Sequence, residues 1–118
     1  MPRTASFSVH QEAPRPDIRV IAVEGDADMS AAVRFNESFM RAAHIGARKV
    51  VADLTFVDYV DSSMLNALVV GHRWMMRDGG SFVVVSRDGG LRRILELTGL
   101  GEIFEIFETR AEALDSLR

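Results

Sequence analysis

The chain has 118 residues, 47% apolar and 26% charged, with a formal net charge of −3 and no cysteine. That size and balance fit one globular domain and argue against disorder or fibrous repeats. The missing cysteines exclude disulfide scaffolds, cysteine zinc sites and thiol catalysis, and the mild acidity argues against a nucleic-acid or anionic-membrane partner.

No apolar run approaches the roughly 20 residues that span a bilayer, so no membrane insertion is expected. The start, Met1-Pro2-Arg3-Thr4, has no apolar stretch of the signal-peptide kind. A cytoplasmic location is therefore expected. One domain is expected over residues 1–118, with residues 1–16 as an edge strand and a proline-containing turn.

Ser6-Phe7-Ser8-Val9-His10 alternates polar and apolar, the pattern of a half-buried strand. Pro14 and Pro16 mark a turn or a strand start. The β-branched run Ile18–Val23 predicts a second strand ending at Gly25, so the chain opens with a hairpin. From Ser30 to about Ile45 the period becomes helical, with Ala32, Phe35, Phe39 and Ala43 on one stripe. Asp28 or Ser30 can cap that helix, and Gly46 sits where a left-handed stop is expected.

Val50–Leu54 reads as a buried strand. Asp61 or Ser62 can cap the next helix, whose stripe is Leu65, Leu68, His72 and Met75/Met76, and which Asp78-Gly79-Gly80 stops. Phe82–Val85 is a strand. Asp88 is expected to cap a helix with Leu91, Ile94 and Leu95 inward, ending at Gly99. Ile103–Phe107 is either a short strand or irregular. Thr109 and Glu112 match a capping box ahead of a last helix with Ala113, Leu114 and Leu117 inward. The fold class expected is α/β: a mixed, mostly parallel sheet of four to five strands with an N-terminal β-hairpin, flanked by about four helices.

In such sheets, function collects beyond the carboxyl ends of the strands. Two acidic segments fall there: Gly25-Asp26-Ala27-Asp28, read as a turn after the second strand, and Asp58-Tyr59-Val60-Asp61-Ser62-Ser63, read as a turn before the second helix. A serine at such a helix start is either a plain cap or a phosphoacceptor. A phosphate there meets the helix's positive end but is repelled by Asp58, Asp61, Asp26 and Asp28, which makes a charge switch. The same aspartates as a Mg²⁺ site are explained more simply as caps and solvated turns.

Other chemistries find little support. His10, His44 and His72 lie in three different elements without ligand spacing, and His72 reads as a core or rim histidine. No Gly-x-Ser-x-Gly elbow is present. Gly79-Gly80 and Gly89-Gly90 lack the lysine of a phosphate loop, Lys49 being the only lysine in the chain. Trp74-Met75-Met76 reads as core or rim packing, and Arg92-Arg93 as solvated. No enzymatic activity, cofactor or metal is expected.

Asp53-Leu54-Thr55 followed by an apolar stretch and Asp61-Ser62-Ser63 resembles the signature loop of the STAS domain, shared by sulfate transporters and anti-sigma factor antagonists. Gly25-Asp26-Ala27-Asp28 resembles that family's Gly-Glu-Leu/Ile-Asp segment. Leu91, Leu95 and Thr98-Gly99-Leu100 resemble its late helix, and Glu112-Ala113-Leu114 the start of its last one. The likeness runs from Ile18 onward.

For a stand-alone member the resemblance implies a partner-switching regulator. It binds an anti-sigma factor that is also a serine kinase, is phosphorylated at Ser62 and released, and is restored by a phosphatase. Ser63 is a fallback acceptor, and Asp26, Asp28, Asp58, Asp61, Ser63 and Met64 are expected to contact or shape the contact with the partner. The chain is expected to be a monomer or a weak homodimer. Met64 stands where the family has glycine, and an exposed methionine there would add adaptable apolar contact. That favours an alternative: an accessory subunit docking on the ATPase of a membrane lipid transporter without phosphorylation.

Overall fold

Two β-branched runs pair at the centre of the sheet and set the layout of the rest. In the computed structural model, which describes residues 6–87 and 89–118, they are β2 (Ile18–Ala27) and β3 (Lys49–Val60), side by side and parallel. β1 (Phe7–Arg15) pairs antiparallel with β2, while β4 (Ser81–Val85) and β5 (Glu105–Phe107) follow in parallel beyond β3. The sheet order is β1-β2-β3-β4-β5.

Each parallel crossover steps the same way across the sheet. Right-handed connections then put α1 (Met29–His44), α2 (Ser62–Arg77) and α3 (Gly89–Leu97) on one face. The larger core forms there, joining Ile21, Val50 and Val84 of the sheet to Phe35 and Phe39 of α1, Leu68 of α2 and Leu95 of α3. Phe82 meets the Phe35 and Phe39 rings edge-on at 6.5 and 6.1 Å. Burial of each such side chain contributes about 1.5–3 kcal/mol. α4 (Arg110–Ser116) covers part of the other face, packing Ala113 and Leu117 on Ile18, Val20, Val51 and Val83.

Several boundaries differ from the sequence reading. β1 continues through Pro14 to Arg15, past a register shift between Glu12 and Arg15. An edge strand tolerates this because a proline at a bulge forfeits no ladder bond. The two acidic segments read as turns are mostly strand: β2 reaches Ala27 and β3 reaches Val60. Period-2 alternation is broken there because β3 carries two bulges against β2. Ala22 faces Asp53 but Glu24 faces Phe56, and Gly25 faces Val57 but Asp26 faces Tyr59.

Gly25 has φ of 84°, and a Cβ there would lie 2.0 Å from the Ser6 carbonyl oxygen. Only glycine allows β1 to pass so closely. The segment Ile103–Phe107 contains the three-residue β5, preceded by a tight 3-10 turn at Leu100–Glu102. The cap expected at Asp88 lies outside the described residues.

Candidate functional site

The β2–β3 ladder ends with Ala27 opposite Val60, and the Asp61 amide donates to the Ala27 carbonyl at 3.1 Å. The residues that follow open α1 and α2. Two helix N-termini therefore start side by side at the carboxyl end of the sheet, each capped by an aspartate. Asp28 Oδ1 accepts from the Ala31 amide at 3.0 Å, and Asp61 Oδ1 accepts from the Met64 amide at 3.1 Å. Both caps have extended backbone, and each bond is worth about 1 kcal/mol to its helix.

Of the alternatives open in the sequence, Asp28 caps α1 rather than Ser30, and Asp61 caps α2 rather than Ser62. Ser62 is then the first residue of α2, and its side chain is exposed. Its hydroxyl is not the group that caps the helix. Ser63 is half-buried, Asp58 is exposed on β3, and Asp26 and Asp28 are half-buried. The β2–β3 register, with Ala27 opposite Val60, brings Asp26, Asp28, Asp58, Asp61 and Ser62 to one end of the sheet.

Met64 is a correction. It is fully buried in the larger core, not on the surface, and cannot meet a partner in this conformation. Its position explains why: Met64, Ala67, Leu68, Gly71 and Met75 fall at helical spacing on the inward stripe of α2. That spacing was readable from the sequence. The apolar contact that favoured a transporter subunit is therefore absent from the surface.

A second polar cluster escaped the sequence reading. Asp53, 6% exposed, accepts from the Thr55 amide at 3.0 Å and from the Thr55 hydroxyl. Its other oxygen accepts from Arg110 Nε at 2.8 Å, while Arg110 Nη1 reaches Glu12 at 2.7 Å. Burial alone would lower the Arg110 pKa, but the hydrogen bonds and charges of Asp53 and Glu12 outweigh it and raise the value. This network ties α4 to β3 and β1. No spacing rule could have joined residues so far apart in the chain.

His72 lies edge-on to Phe82 and Phe104, with centroids 6.2 and 5.5 Å away, the rim position expected for it. Arg92, read as solvated, is exposed but donates to the Ile106 carbonyl at 3.2 Å. Trp74 and Met76 are exposed around a buried Met75. Among the described residues no group of three or more His, Asp or Glu is placed to hold a metal ion, and no helix is long and apolar enough to cross a membrane.

A family model described as "STAS domain" matches residues 12–113. A Thermotoga maritima protein, named provisionally as an anti-sigma factor antagonist, is 33% identical over 73 residues. Those residues are 62% of this chain and 65% of that relative's length. The crystal structure of an anti-sigma factor antagonist from Mycobacterium paratuberculosis superposes with a TM-score of 0.85 at 26% identity, covering 96% of this chain and 95% of the other. The phosphorylated form of SpoIIAA, a Bacillus cell fate determinant, shares the fold with a TM-score of 0.76 at 20% identity, covering 94% of this chain and all of the other.

Proposed function

The chain belongs to the STAS domain family, and from that premise we propose that it is an anti-sigma factor antagonist switched by phosphorylation of Ser62. The unmodified protein binds an anti-sigma factor that is also a serine kinase. The kinase phosphorylates Ser62 and the complex dissociates, and a phosphatase restores the binding form. Ser63, half-buried, is the poorer acceptor. The protein itself is a substrate and a binding module rather than an enzyme, and it acts in the cytoplasm.

The observation that carries this reading is the exposed Ser62 hydroxyl beside, rather than in, the α2 cap. Asp61 already satisfies the helix, so the serine can be modified without unmaking the fold. A phosphate there would carry about two negative charges. It would gain from the free amides and dipole of α2, and from those of α1 next to it. It would also sit among Asp26, Asp28, Asp58 and Asp61. The helix ends hold the modified loop in place while the local charge rises sharply, so the docking surface changes and the domain does not. SpoIIAA, known in a phosphorylated form, has this fold.

The test is copurification from the native cell with wild type, Ser62→Ala and Ser62→Asp as baits. Wild type and Ser62→Ala should retain an anti-sigma factor kinase, and Ser62→Asp should lose it by about tenfold or more, a change of roughly 1.4 kcal/mol. Equal retention by all three contradicts the switch.

A further inference from the structure

The helices α1 and α2, 16 residues each, pack against one another and run from the carboxyl end of the sheet to its amino end, about 24 Å. Their last turns lie where β3 and β4 begin, at the opposite end from Ser62. There Ala43, Ala47, Trp74 and Met75 line a notch of about 110 Å³, with Arg48 and Asp78 also in its lining. Met40 and Val70 stand one turn before Ala43 and Trp74, so the two helices present one apolar furrow that continues from the notch. Met40 is 50% exposed, Val70 48% and Trp74 41%. Arg41, Arg48, Arg73 and Arg77 are exposed along the same stretch, against Glu37 and Asp78. Among the described residues, none of these four guanidiniums has an ion-pair partner. The furrow is thus basic in a chain whose net charge is −3.

We propose that the α1–α2 furrow at the amino end of the sheet docks an acidic amphipathic helix of a partner protein, with one apolar side chain in the notch beside Trp74 and carboxylates beside Arg41, Arg73 and Arg77.

Shape and charge together select this occupant. Two packed helices with apolar side chains along their seam form a groove into which a third helix lays its apolar face, read at i, i+3 or i+4, and i+7. The notch is smaller than the roughly 300–1,000 Å³ of small-molecule sites and takes a single side chain. A half-exposed tryptophan beside such a notch is the kind of residue that anchors a protein interface. The arginines call for a negative partner, and a second copy docked on the same face would bring them against one another. A phosphate-covered surface, lipid or nucleic acid, would set its charge against the carboxyl ends of α1 and α2, which carry negative partial charge. Carboxylates spaced along a helix meet the arginines and leave those helix ends to the apolar contact. The proposal goes beyond the Ser62 switch, since it requires no phosphate and uses the opposite end of the domain.

The experiment is selection, on the unmodified full chain, of a displayed library of helical peptides about five turns long. Leucine is fixed at i, i+3, i+4 and i+7, and glutamate, lysine, glutamine and alanine are randomised elsewhere. Enriched peptides should carry glutamate in excess of lysine. Trp74 is the only tryptophan in the chain, so its emission reports on the furrow directly and should shift to shorter wavelength as an enriched peptide is titrated in. Val70→Glu should weaken binding about tenfold or more, and Arg73→Glu should weaken it several-fold. Both side chains are exposed, so neither change touches the core. Arg93→Glu, the same change of charge on α3, should alter binding by less than about twofold. A proline at the centre of the peptide should abolish binding, because the docked form is a helix.

No enriched peptide, enrichment without an excess of glutamate, an unchanged Trp74 emission, or indifference to both Val70→Glu and Arg73→Glu would overturn the proposal. So would a larger emission shift with phosphatidylglycerol vesicles or with oligothymidylate than with the enriched peptide, which would assign the furrow to lipid or to nucleic acid. An emission that moves with protein concentration alone would assign it to a second copy and would overturn the proposal equally. Because no kinase or phosphate is needed for the peptide to bind, the outcome is independent of whether Ser62 is modified.

Discussion

Asp28 and Asp61 cap adjacent helices from matching places on one ladder, each following a residue of the last β2–β3 pair, Ala27 and Val60. Two positive helix ends and two carboxylates are thus brought to the same edge of the sheet. The carboxylates partly neutralise the helix ends, and Ser62, one residue beyond Asp61, is left exposed next to both.

The cap and the switch should separate by mutation. Asp61→Ala should lower unfolding free energy by about 1 kcal/mol, with Asp61→Asn retaining most of it. Ser62→Ala should change it by less than about 0.5 kcal/mol, since an exposed serine that is not the cap holds little of the structure. Urea denaturation of the three variants checks this. A loss at Ser62→Ala as large as at Asp61→Ala would mean that the serine caps the helix after all.

The Asp53–Arg110 pair predicts a different kind of loss. Arg110→Ala leaves the carboxylate of Asp53, 6% exposed, without its guanidinium, at a cost on the order of 2 kcal/mol. The figure lies below that of a fully buried pair because the Arg110 side chain is 35% exposed and partly screened. Arg110→Lys should recover less than half, because a point ammonium cannot serve both Asp53 and Glu12 as the guanidinium fork does. Chemical denaturation of wild type and both variants measures it.

His72 predicts the pH dependence. Burial lowers its pKa from the ordinary 6.5. The unfolded chain therefore takes up the proton first as pH falls. This contribution to stability is complete above pH 6.5, is lost as pH drops from 6.5 toward the folded value, and is constant below that. The difference in urea midpoint between wild type and His72→Leu, followed from pH 7.5 to about 5, should grow less favourable to wild type with acidification. A pH-independent difference would mean that the ring is solvated, not packed against Phe82 and Phe104.

Much of the layout was legible because the helices show their period in the sequence and α1, α2 and α3 are each followed by a glycine with positive φ, Gly46, Gly79 and Gly99, although Met76 of α2 and Ile94 of α3, read as inward, are exposed. Ala32, Phe35 and Phe39 of α1 face the core as read, and Gly46 takes the positive φ expected of a helix stop. The ends of β2 and β3 were not legible. Bulges insert extra residues into β3, so the alternation that announces a strand is lost where Asp58 and Asp61 suggest a turn. Met64 was misjudged by comparison with a glycine pattern, although its spacing from Ala67, Leu68 and Gly71 already pointed inward. Arg110 was legible only as a helix start. Its bond to Asp53, 57 residues away, depends on how α4 crosses the sheet, which local sequence does not encode.

The most direct measurement is the intact mass of the protein purified from its native cell, before and after phosphatase treatment, beside Ser62→Ala handled the same way. The account predicts a population heavier by one phosphate in wild type, removed by the phosphatase and absent from the variant. Wild type found only at the unmodified mass under every growth condition, or an equal phosphate on Ser62→Ala, would contradict it.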